Sequence, residues 1–394
     1  MRVQLRALLT MAMVLTPLGG MAWLETAHAQ SPRLRKAADP TYQTNGRVLA
    51  VAVVGNTVYI GGDFTAVRPA GAPAGTRETA RSHLAAFRVD TGALRHWRPS
   101  ANGIVNALAA SPNGRRIYVG GSFTRLSGEH RHNVGAVAAT RRGAVSKFRA
   151  DTNGAVLAIA TNGRRVYLGG EFTQVKHESR IHLAALDSSR HLVSTWRPRA
   201  NSTVRSIAVS RHGNFVYVGG EFGTINNKPN AHLAKLSGGR TGKVQTWKRH
   251  PIYSVWKVIA TRHAVYVGGN GTGGGIAAYG LKGRNLWGVQ TDGGVQALAV
   301  YHGALLVGGH FHNVCVGISP GPQGGFHCPT VLAPRARLLA LTRSTGALQS
   351  WNPRANSGMG VFAMAATGSL VYAGGVFTEI NNLPQQGFTR FSLP

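Results

Sequence analysis

A glycine pair that follows a short apolar run recurs seven times along the chain. The copies are VYIGGDF, IYVGGSF, VYLGGEF, VYVGGEF, VYVGGNG, LLVGGHF and VYAGGVF, and their first glycines are Gly61, Gly120, Gly169, Gly219, Gly268, Gly308 and Gly374. The steps between these glycines are 59, 49, 50, 49, 40 and 66 residues. A period of this length constrains the architecture more than any local pattern, because each repeat has to be one supersecondary unit that packs on its neighbours.

Each repeat carries the same parts in the same order. An apolar run such as IVNALAAS (104–111) comes first, and a tight turn of the Asn-Gly type leads to the glycine strand. A third strand such as HLAAF (83–87) follows, and a Thr-Gly turn then leads to a fourth strand that ends at a tryptophan. Four antiparallel strands about every fifty residues are typical of β-propeller blades. We therefore predict an all-β fold, a seven-bladed β-propeller of four-stranded antiparallel blades.

The glycines and the tryptophans have structural interpretations in such a fold. Glycine lets neighbouring backbones approach closely, whereas a phosphate-binding glycine loop would need a helix directly after it, and the sequence has none there. Packing between outer strands is favoured over a sugar-stacking platform for the recurring tryptophans. These are Trp97, Trp196, Trp247, Trp287 and Trp351.

The two ends of the chain predict how the ring closes. The last repeat stops at its third strand in GFTRFSLP (387–394), whereas PTYQTNGRV (40–48) aligns with the end of a fourth strand and its exit loop. We expect this N-terminal strand to complete the last blade and leave no open edge.

The domain prediction has three parts: a signal peptide at 1–29, a short linker at 30–36 and a single propeller at 37–394. The first segment has Arg2 and Arg6, an apolar centre and an Ala-His-Ala site, which are typical of a secretory signal; an uncleaved membrane anchor is the alternative. After the N-terminus, no stretch is apolar for long enough to cross a bilayer.

The sixth repeat contains a loop insertion at 311–335 that holds both cysteines of the chain, Cys315 and Cys328. Two thiols that bracket a Gly/Pro-rich loop in an exported protein predict a disulfide. A metal site formed by the same cysteines with His312 and His327 is the alternative, although the spacing matches no familiar zinc signature.

The charge balance points to an anionic partner. The chain has 44 Lys and Arg against 13 Asp and Glu, and its formal net charge is +31. Loss of two arginines and one glutamate with the predicted signal leaves +30. Such a surface attracts polyanions, and outside a cell these are envelope phosphopolymers, acidic glycans, lipid headgroups or released nucleic acid. A compositional bias that only keeps the protein soluble is the alternative.

The candidate binding residues are cations that the repeat is expected to place on one face of the ring. The planar fork of arginine suits phosphate and carboxylate groups. The set consists of Arg81, His83, Arg98, Arg131, Arg180, His182, Arg197, Arg199, His232, Arg335 and Arg354.

Signals for catalysis are sparse. The recurring carboxylates are Asp63, Glu171 and Glu221, and we expect them to form local ion pairs with the arginines that begin the third strands. An acid–base pair from two blades is the alternative. The histidines at one repeat position are expected to bond backbone groups beside their own strands rather than a metal.

The order of motifs in each repeat resembles that of secreted bacterial β-propellers with delta-60-type repeats, and more loosely that of kelch repeats. The motifs are Tyr-x-Gly-Gly-x-Phe, Leu-Ala-x-Leu, Thr-Gly-x-Leu and Trp-x-Pro. The resemblance covers 40–394 and implies a repeat scaffold rather than a particular reaction. The segments AFRVDTGALRHW (86–97) and ALTRSTGALQSW (340–351) also resemble the tryptophan-docking motif of quinoprotein dehydrogenases. They depart from it at Arg88 and Thr342, where the motif has Asp, and in the Gly-to-Trp spacing.

Together these features predict a secreted or cell-surface, monomeric, non-enzymatic scaffold without a cofactor or a metal. Its partner would be an anionic polymer or glycan of the cell envelope, or a protein, and any binding of nucleic acid would be non-specific. The alternatives are a carbohydrate-active propeller enzyme, a hydrolase or lyase, and a quinoprotein-like oxidoreductase.

Overall fold

Each copy of the glycine motif forms the second strand of an antiparallel sheet, between the first and third strands of its own repeat. The computed structural model describes residues 34–140, 142–247, 251, 253–271, 273–316 and 331–393, and all of them are strand, turn or irregular structure. These residues contain no helix that is long and apolar enough to cross a bilayer. The predicted signal peptide, Cys328 and His327 lie outside the described residues.

Three sets of strands recur through the chain. The first strands are Val48–Val54, Ile104–Ala110, Val156–Thr161, Val204–Val209, Ser254–Ala260, Val295–Tyr301 and Val361–Thr367. The second strands are Thr57–Gly62, Arg116–Ser122, Arg165–Gly170, Phe215–Gly220, Ala264–Asn270, Ala304–Gly309 and Leu370–Gly375. The third strands are Leu84–Arg88, Val134–Ala138, Leu183–Asp187, Leu233–Ser237, Gly274–Gly280, Leu338–Thr342 and Phe388–Ser392.

Short strands form hairpins between the second and third strands. They are Ala66–Arg68 with Thr79–Ala80, Arg125–Leu126 with Glu129–His130, Gln174–Val175 with Glu178–Ser179, Thr224–Ile225 with Lys228–Pro229, Asn313–Val316 with Val331–Pro334, and Glu379–Ile380 with Leu383–Pro384. The strand Gln43–Thr44 pairs with Ala66–Arg68.

The fourth strand differs from the prediction. Only repeats 2 and 5 have one among the described residues, at Val145–Arg149 and Asn285–Thr291. In repeats 1, 3, 4 and 6 the corresponding segment makes a single bridge, such as Phe87 with Leu94. A proline stands two residues after the tryptophan in repeats 1, 3 and 6, but repeat 4 has none and also lacks the strand, so this proline does not account for the difference.

The glycine pairs set the distance between strands and between neighbouring repeats. A Cβ added at Gly169 would lie 2.6 Å from Cγ1 of Val204, in the first strand of the next repeat. A Cβ at Gly170 would overlap the carbonyl oxygen of Ala155, in the first strand of its own repeat. The first glycine faces a valine in every repeat: Val105 at Gly61, Val156 at Gly120, Val255 at Gly219, Val295 at Gly268, Val361 at Gly308 and Val48 at Gly374. The close approach predicted for the glycines is therefore confirmed.

The tryptophans join each repeat to the next at the outer side of the sheets. Trp97 Nε1 donates to the carbonyl of Ala138 at 2.9 Å, and its ring makes an edge contact with Tyr59 at 4.9 Å between centroids. The other four tryptophans donate in the same way to Ser237, Gly280, Arg343 and Arg35. The interpretation of these residues as packing between outer segments is confirmed.

The glycine contacts give a test of the fold. Gly170→Ala should lower the free energy of unfolding by at least about 3 kcal/mol, since the new methyl group would overlap a backbone carbonyl that cannot move aside. Gly358→Ala is a matched control because a Cβ there meets nothing within 4 Å. Urea denaturation of both variants makes the measurement, and equal stabilities would contradict the role assigned to the glycine pair.

Candidate anion-binding site

One end of the sheets is organised by a repeated asparagine in the segment that enters each first strand. Asn102 Oδ1 accepts hydrogen bonds from the backbone N–H groups of Thr124 and Arg125, in the next hairpin, at 2.9 and 2.8 Å. Asn45, Asn153, Asn201, Asp292 and Asn356 accept the same pair of bonds in other repeats. Sequence analysis missed this role, although the Asn or Asp recurs in TNG, ANG, ANS and TDG. We call this end of the sheets the hairpin end.

The four predicted arginines that begin the third strands bond the backbone of their own repeats. Arg81, Arg131, Arg180 and Arg335 each donate from Nη1 to the carbonyl of the preceding residue, at 2.7 to 2.8 Å. Nη2 of Arg81, Arg131 and Arg335 reaches a carbonyl at the start of the next outer segment, whereas Nη2 of Arg180 reaches Glu178 Oε2 at 3.1 Å. Their role is thus different from the predicted one: these guanidinium groups are committed within the protein.

Burial and like charge act on these arginines together. Burial lowers the pKa of Arg81, Arg180 and Arg335, and the nearby guanidinium of Arg98 or Arg197 lowers the pKa of Arg81 or Arg180 further. Hydrogen bonds from a guanidinium group to backbone carbonyls offset the cost of its burial. We therefore assign a structural role to these four arginines.

The other predicted arginines, Arg98, Arg197, Arg199 and Arg354, are exposed. Arg180, Arg197 and Arg199 line a pocket of about 190 Å³ at the hairpin end, and Arg197 lies 3.5 Å from Glu178. The structure therefore brings this part of the predicted set together, with a carboxylate beside it.

The predicted histidines occupy a turn position. His83, His182 and His232 have φ of 68°, 60° and 63°, in the left-handed region, directly before the third strand. Nδ1 of His83 and His182 lies 3.1 and 3.0 Å from the carbonyls of Gly62 and Gly170. No group of three or more metal-ligating side chains occurs in the described part of the chain. The expected backbone role is observed for His83 and His182.

The recurring carboxylates do not pair with the arginines near the third strands, so this prediction is wrong. Asp63 pairs with Arg47 at 2.5 Å and Glu221 pairs with Arg205 at 2.6 Å, both from the entry to a first strand. Arg47 directly precedes its first strand and lies opposite Asp63, whereas Arg205 is the bulged residue between Val204 and Ser206. Leu157 stands in repeat 3 where repeat 4 has Arg205, and Glu171 makes no ion pair with a described residue.

A cleft of about 820 Å³ opens at the other end of the sheets, between the turns of repeats 3 and 4. The two first-to-second turns and the two third-to-fourth turns line it, and they contribute Arg164, Arg165, Arg211 and Arg240. Its one lining carboxylate is Asp187, which accepts the backbone N–H of His191 at 2.9 Å. We call this region the arginine cleft.

The floor of the arginine cleft is fixed by hydrogen bonds from repeat 3 to the turn of repeat 4. Arg165 Nη1 and the hydroxyl of Tyr167 both donate to the carbonyl of Gly238, at 2.8 and 2.9 Å. The Thr195 hydroxyl donates to the carbonyl of Arg240 at 2.7 Å. This turn is one residue longer than those of repeats 1 and 6 and has the length of the turn of repeat 2.

The rim of the arginine cleft carries the groups that are free to bind a ligand. Arg164, Arg211 and Arg240 are exposed, and none of their guanidinium groups bonds to a residue in the described part of the chain. Each offers a planar set of donors suited to an oxyanion. Sequence analysis missed these residues because they lie in turns that it interpreted only as connections.

Comparison with solved structures identifies the fold. The WD40 β-propeller domain of Doa1 has a TM-score of 0.55 and 12% sequence identity, over 90% of this chain and 97% of that one. The fold is a WD40-type β-propeller. The computationally designed Ika8 protein is also similar, with a TM-score of 0.52 and 14% identity, over 90% of this chain and 98% of its own. No family model and no curated protein matches the chain.

These likenesses show the propeller fold and nothing about its ligands. The resemblance to delta-60-type and kelch repeats stays a prediction, and so does the disulfide, since only buried Cys315 is described. Any function of this propeller has to be argued from its own side chains.

The structural role of the buried arginines can be measured. Arg180→Ala should lower the free energy of unfolding by about 1 to 3 kcal/mol, because it leaves backbone acceptors of a buried site without their donor. Arg199→Ala, at an exposed arginine nearby, should change stability by less than about 0.5 kcal/mol. Thermal and urea unfolding of the pair decide the point. An unchanged free energy of unfolding in Arg180→Ala would contradict the structural role assigned to this arginine.

Proposed function

We propose that this protein is an exported β-propeller scaffold that binds an anionic polymer through the arginine cleft. The observation that carries the proposal is the rim of the cleft, where three exposed guanidinium groups that bond to no described residue surround a floor held by hydrogen bonds. The planar fork of arginine presents its donors in a fixed geometry, so less entropy is lost for each hydrogen bond to a phosphate or carboxylate group.

The charge of the whole chain supports a polymer over a small neutral ligand. The net charge of +31 attracts an extended polyanion and raises its rate of association. Carboxylates are scarce, and Asp63, Glu178 and Glu221 are already in ion pairs. An envelope phosphopolymer or an acidic glycan meets cations along its whole length on such a surface. The predicted signal peptide is consistent with a secreted or cell-surface location.

A carbohydrate-active enzyme has weaker support. Asp63 and Glu221, two of the three candidate carboxylates, are each bound by an arginine that competes with a substrate for their oxygens. The tryptophans of the two quinoprotein-like segments, Trp97 and Trp351, donate their indole N–H groups to neighbouring carbonyls. These contacts give both tryptophans a sufficient role as links between repeats.

For the scaffold itself, we infer seven blades and closure of the ring by the N-terminal segment. Val48 in the first strand of repeat 1 packs on Gly374 of repeat 7. Asp39 bridges Arg390, with a backbone hydrogen bond of 2.8 Å and an ion pair of 3.3 Å. The indole of Trp351 donates to the carbonyl of Arg35 at 3.0 Å, as the other tryptophans do to the next repeat. Residues 35–39 thus occupy the outer position that repeat 7 lacks.

Binding of the polymer can be tested with two triple variants that remove the same charge. Arg164, Arg211 and Arg240 changed together to Ala should weaken the Kd for poly(glycerol phosphate) at least about tenfold at low salt and flatten its salt dependence. The control changes Arg98, Arg199 and Arg354 to Ala, all exposed at the hairpin end, and should have a much smaller effect.

Fluorescence anisotropy with a labelled polymer measures both variants across a salt titration, with neutral dextran as a blank. An equal loss of affinity in the two variants would mean that binding is spread over the surface, and the arginine cleft would not be the site. No binding of the polymer by the wild type would overturn the proposed function.

Closure of the ring is tested by two truncated chains. A chain that begins at Pro40 loses Asp39 and the Arg35 carbonyl, so its Tm should fall by at least about 2 °C. A chain that begins at Leu34 keeps both groups and should melt like the mature protein. Differential scanning calorimetry compares them, and identical melting would show that 35–39 does not close the ring.

A further inference from the structure

The first strands enclose a cavity of about 80 Å³. One position in each first strand is defined by its pairing with the first glycine of the motif, as in Ala50 with Gly61 and Ala107 with Gly120. The residues at this position are Ala50, Ala107, Ala158, Ser206, Lys257, Ala297 and Ala363. All of them except Ala297 line the cavity.

Lys257 is the exception in this series. Where the other repeats have alanine or serine, repeat 5 has a four-carbon side chain that ends in an ammonium group. Its Nζ makes no hydrogen bond or ion pair with any described residue, and no carboxylate lines the cavity. The side chain is half-buried, and desolvation lowers the pKa of Lys257.

The neighbouring charges leave Lys257 without an internal counter-ion. Arg205, the other cation in the lining, lies 2.6 Å from Glu221 and 4.7 Å from the ring centroid of Trp256. The carboxylate of Glu221 is therefore occupied. An ammonium group in such surroundings destabilises the folded state unless an anion or ordered water offsets its desolvation.

Packing does not require the lysine. Alanine at the same position in five other repeats shows that the fold accepts a methyl group there. The charge and the donors of Lys257 therefore need a different explanation from the glycines and tryptophans that recur.

Two further donors face the same space. Asn106 lines the cavity, and its side-chain amide bonds to no described residue. The hydroxyl of Ser206 accepts the backbone N–H of Val258 at 3.0 Å, which leaves its own hydrogen available for donation. A cation with two neutral donors, in a cavity that no carboxylate lines, is complementary to an oxyanion.

We propose that Lys257 anchors a binding site for one small oxyanion in this cavity, with Asn106 and Ser206 as further donors. The ligand class is a free tetrahedral or carboxylate anion such as phosphate, sulfate or acetate. One water takes about 30 Å³ in the liquid, so a cavity of about 80 Å³ holds a small anion with little water and excludes a polymer. The site is separate from the arginine cleft.

The probe is inorganic phosphate, titrated at constant ionic strength into the mature protein by calorimetry, with sulfate and acetate as further arms. The wild type should bind one phosphate in this site and gain thermal stability. Lys257→Ala should weaken this binding at least about tenfold while its Tm without phosphate stays equal to that of the wild type or rises. Lys257→Met removes the charge at similar chain length and should behave in the same way.

Two controls locate the anion. Lys282→Ala removes an exposed lysine of the same repeat and should bind phosphate as the wild type does. The triple variant of the arginine cleft should also keep the phosphate response, so failure of the polymer site and failure of this site are distinguishable. Loss of the response in the cleft variant, the same response in Lys257→Ala, or no binding of any of the three anions by the wild type would overturn the proposal.

Discussion

The packing of the sheets depends on a contact between a glycine in one sheet and a valine in the next. It recurs from Gly61 with Val105 to Gly374 with Val48, and a Cβ at any of these glycines would enter the valine side chain. The same sheets are joined at their outer side by indole N–H groups that donate to carbonyls of the following repeat. Repeats with the tryptophan thus contact the next repeat at two places, and the stability of the fold is mainly a sum of such nearest-neighbour contacts.

What the sequence could reveal depended on whether a residue's role recurs with the period. The glycines and tryptophans recur, and their backbone and packing roles followed from the repeat alone. The fourth strand was overpredicted because the Thr-Gly turn and the tryptophan recur even where the outer segment makes only a single bridge, as Phe87 does with Leu94. The sequence also did not distinguish the buried arginines from the exposed ones. Arg180 bonds its own backbone while Arg199 is exposed, and only the acceptors within about 3 Å distinguish such residues.

Residues that break the repeat are therefore where a ligand is best sought. A residue that the fold requires appears in most copies, as the left-handed position of His83 does in His182, His232 and Asn133. The lysine among alanines at Lys257 occurs once, and the fold has no need of it. The longer turn at Gly238–Arg240 is different, because the turn of repeat 2 has the same length. The oxyanion site therefore rests on a departure from the repeat, whereas the arginine cleft rests on the exposed guanidinium groups of its rim, which have no acceptor among the described residues.

The two sites differ in how far water surrounds their charges, and we therefore expect their binding to depend differently on salt. The rim arginines of the cleft are in water, so each contributes little and is screened by salt, and affinity has to come from many contacts along a polymer. Lys257 is half-buried among alanines and other first-strand residues, so its charge is partly desolvated and less screened than the charges of the rim arginines. A polymer held at the arginine cleft should therefore dissociate as salt rises, whereas an oxyanion at Lys257 should be retained over the same range. The protein would then bind a polymer through screened surface charges and a small anion through a partly desolvated charge.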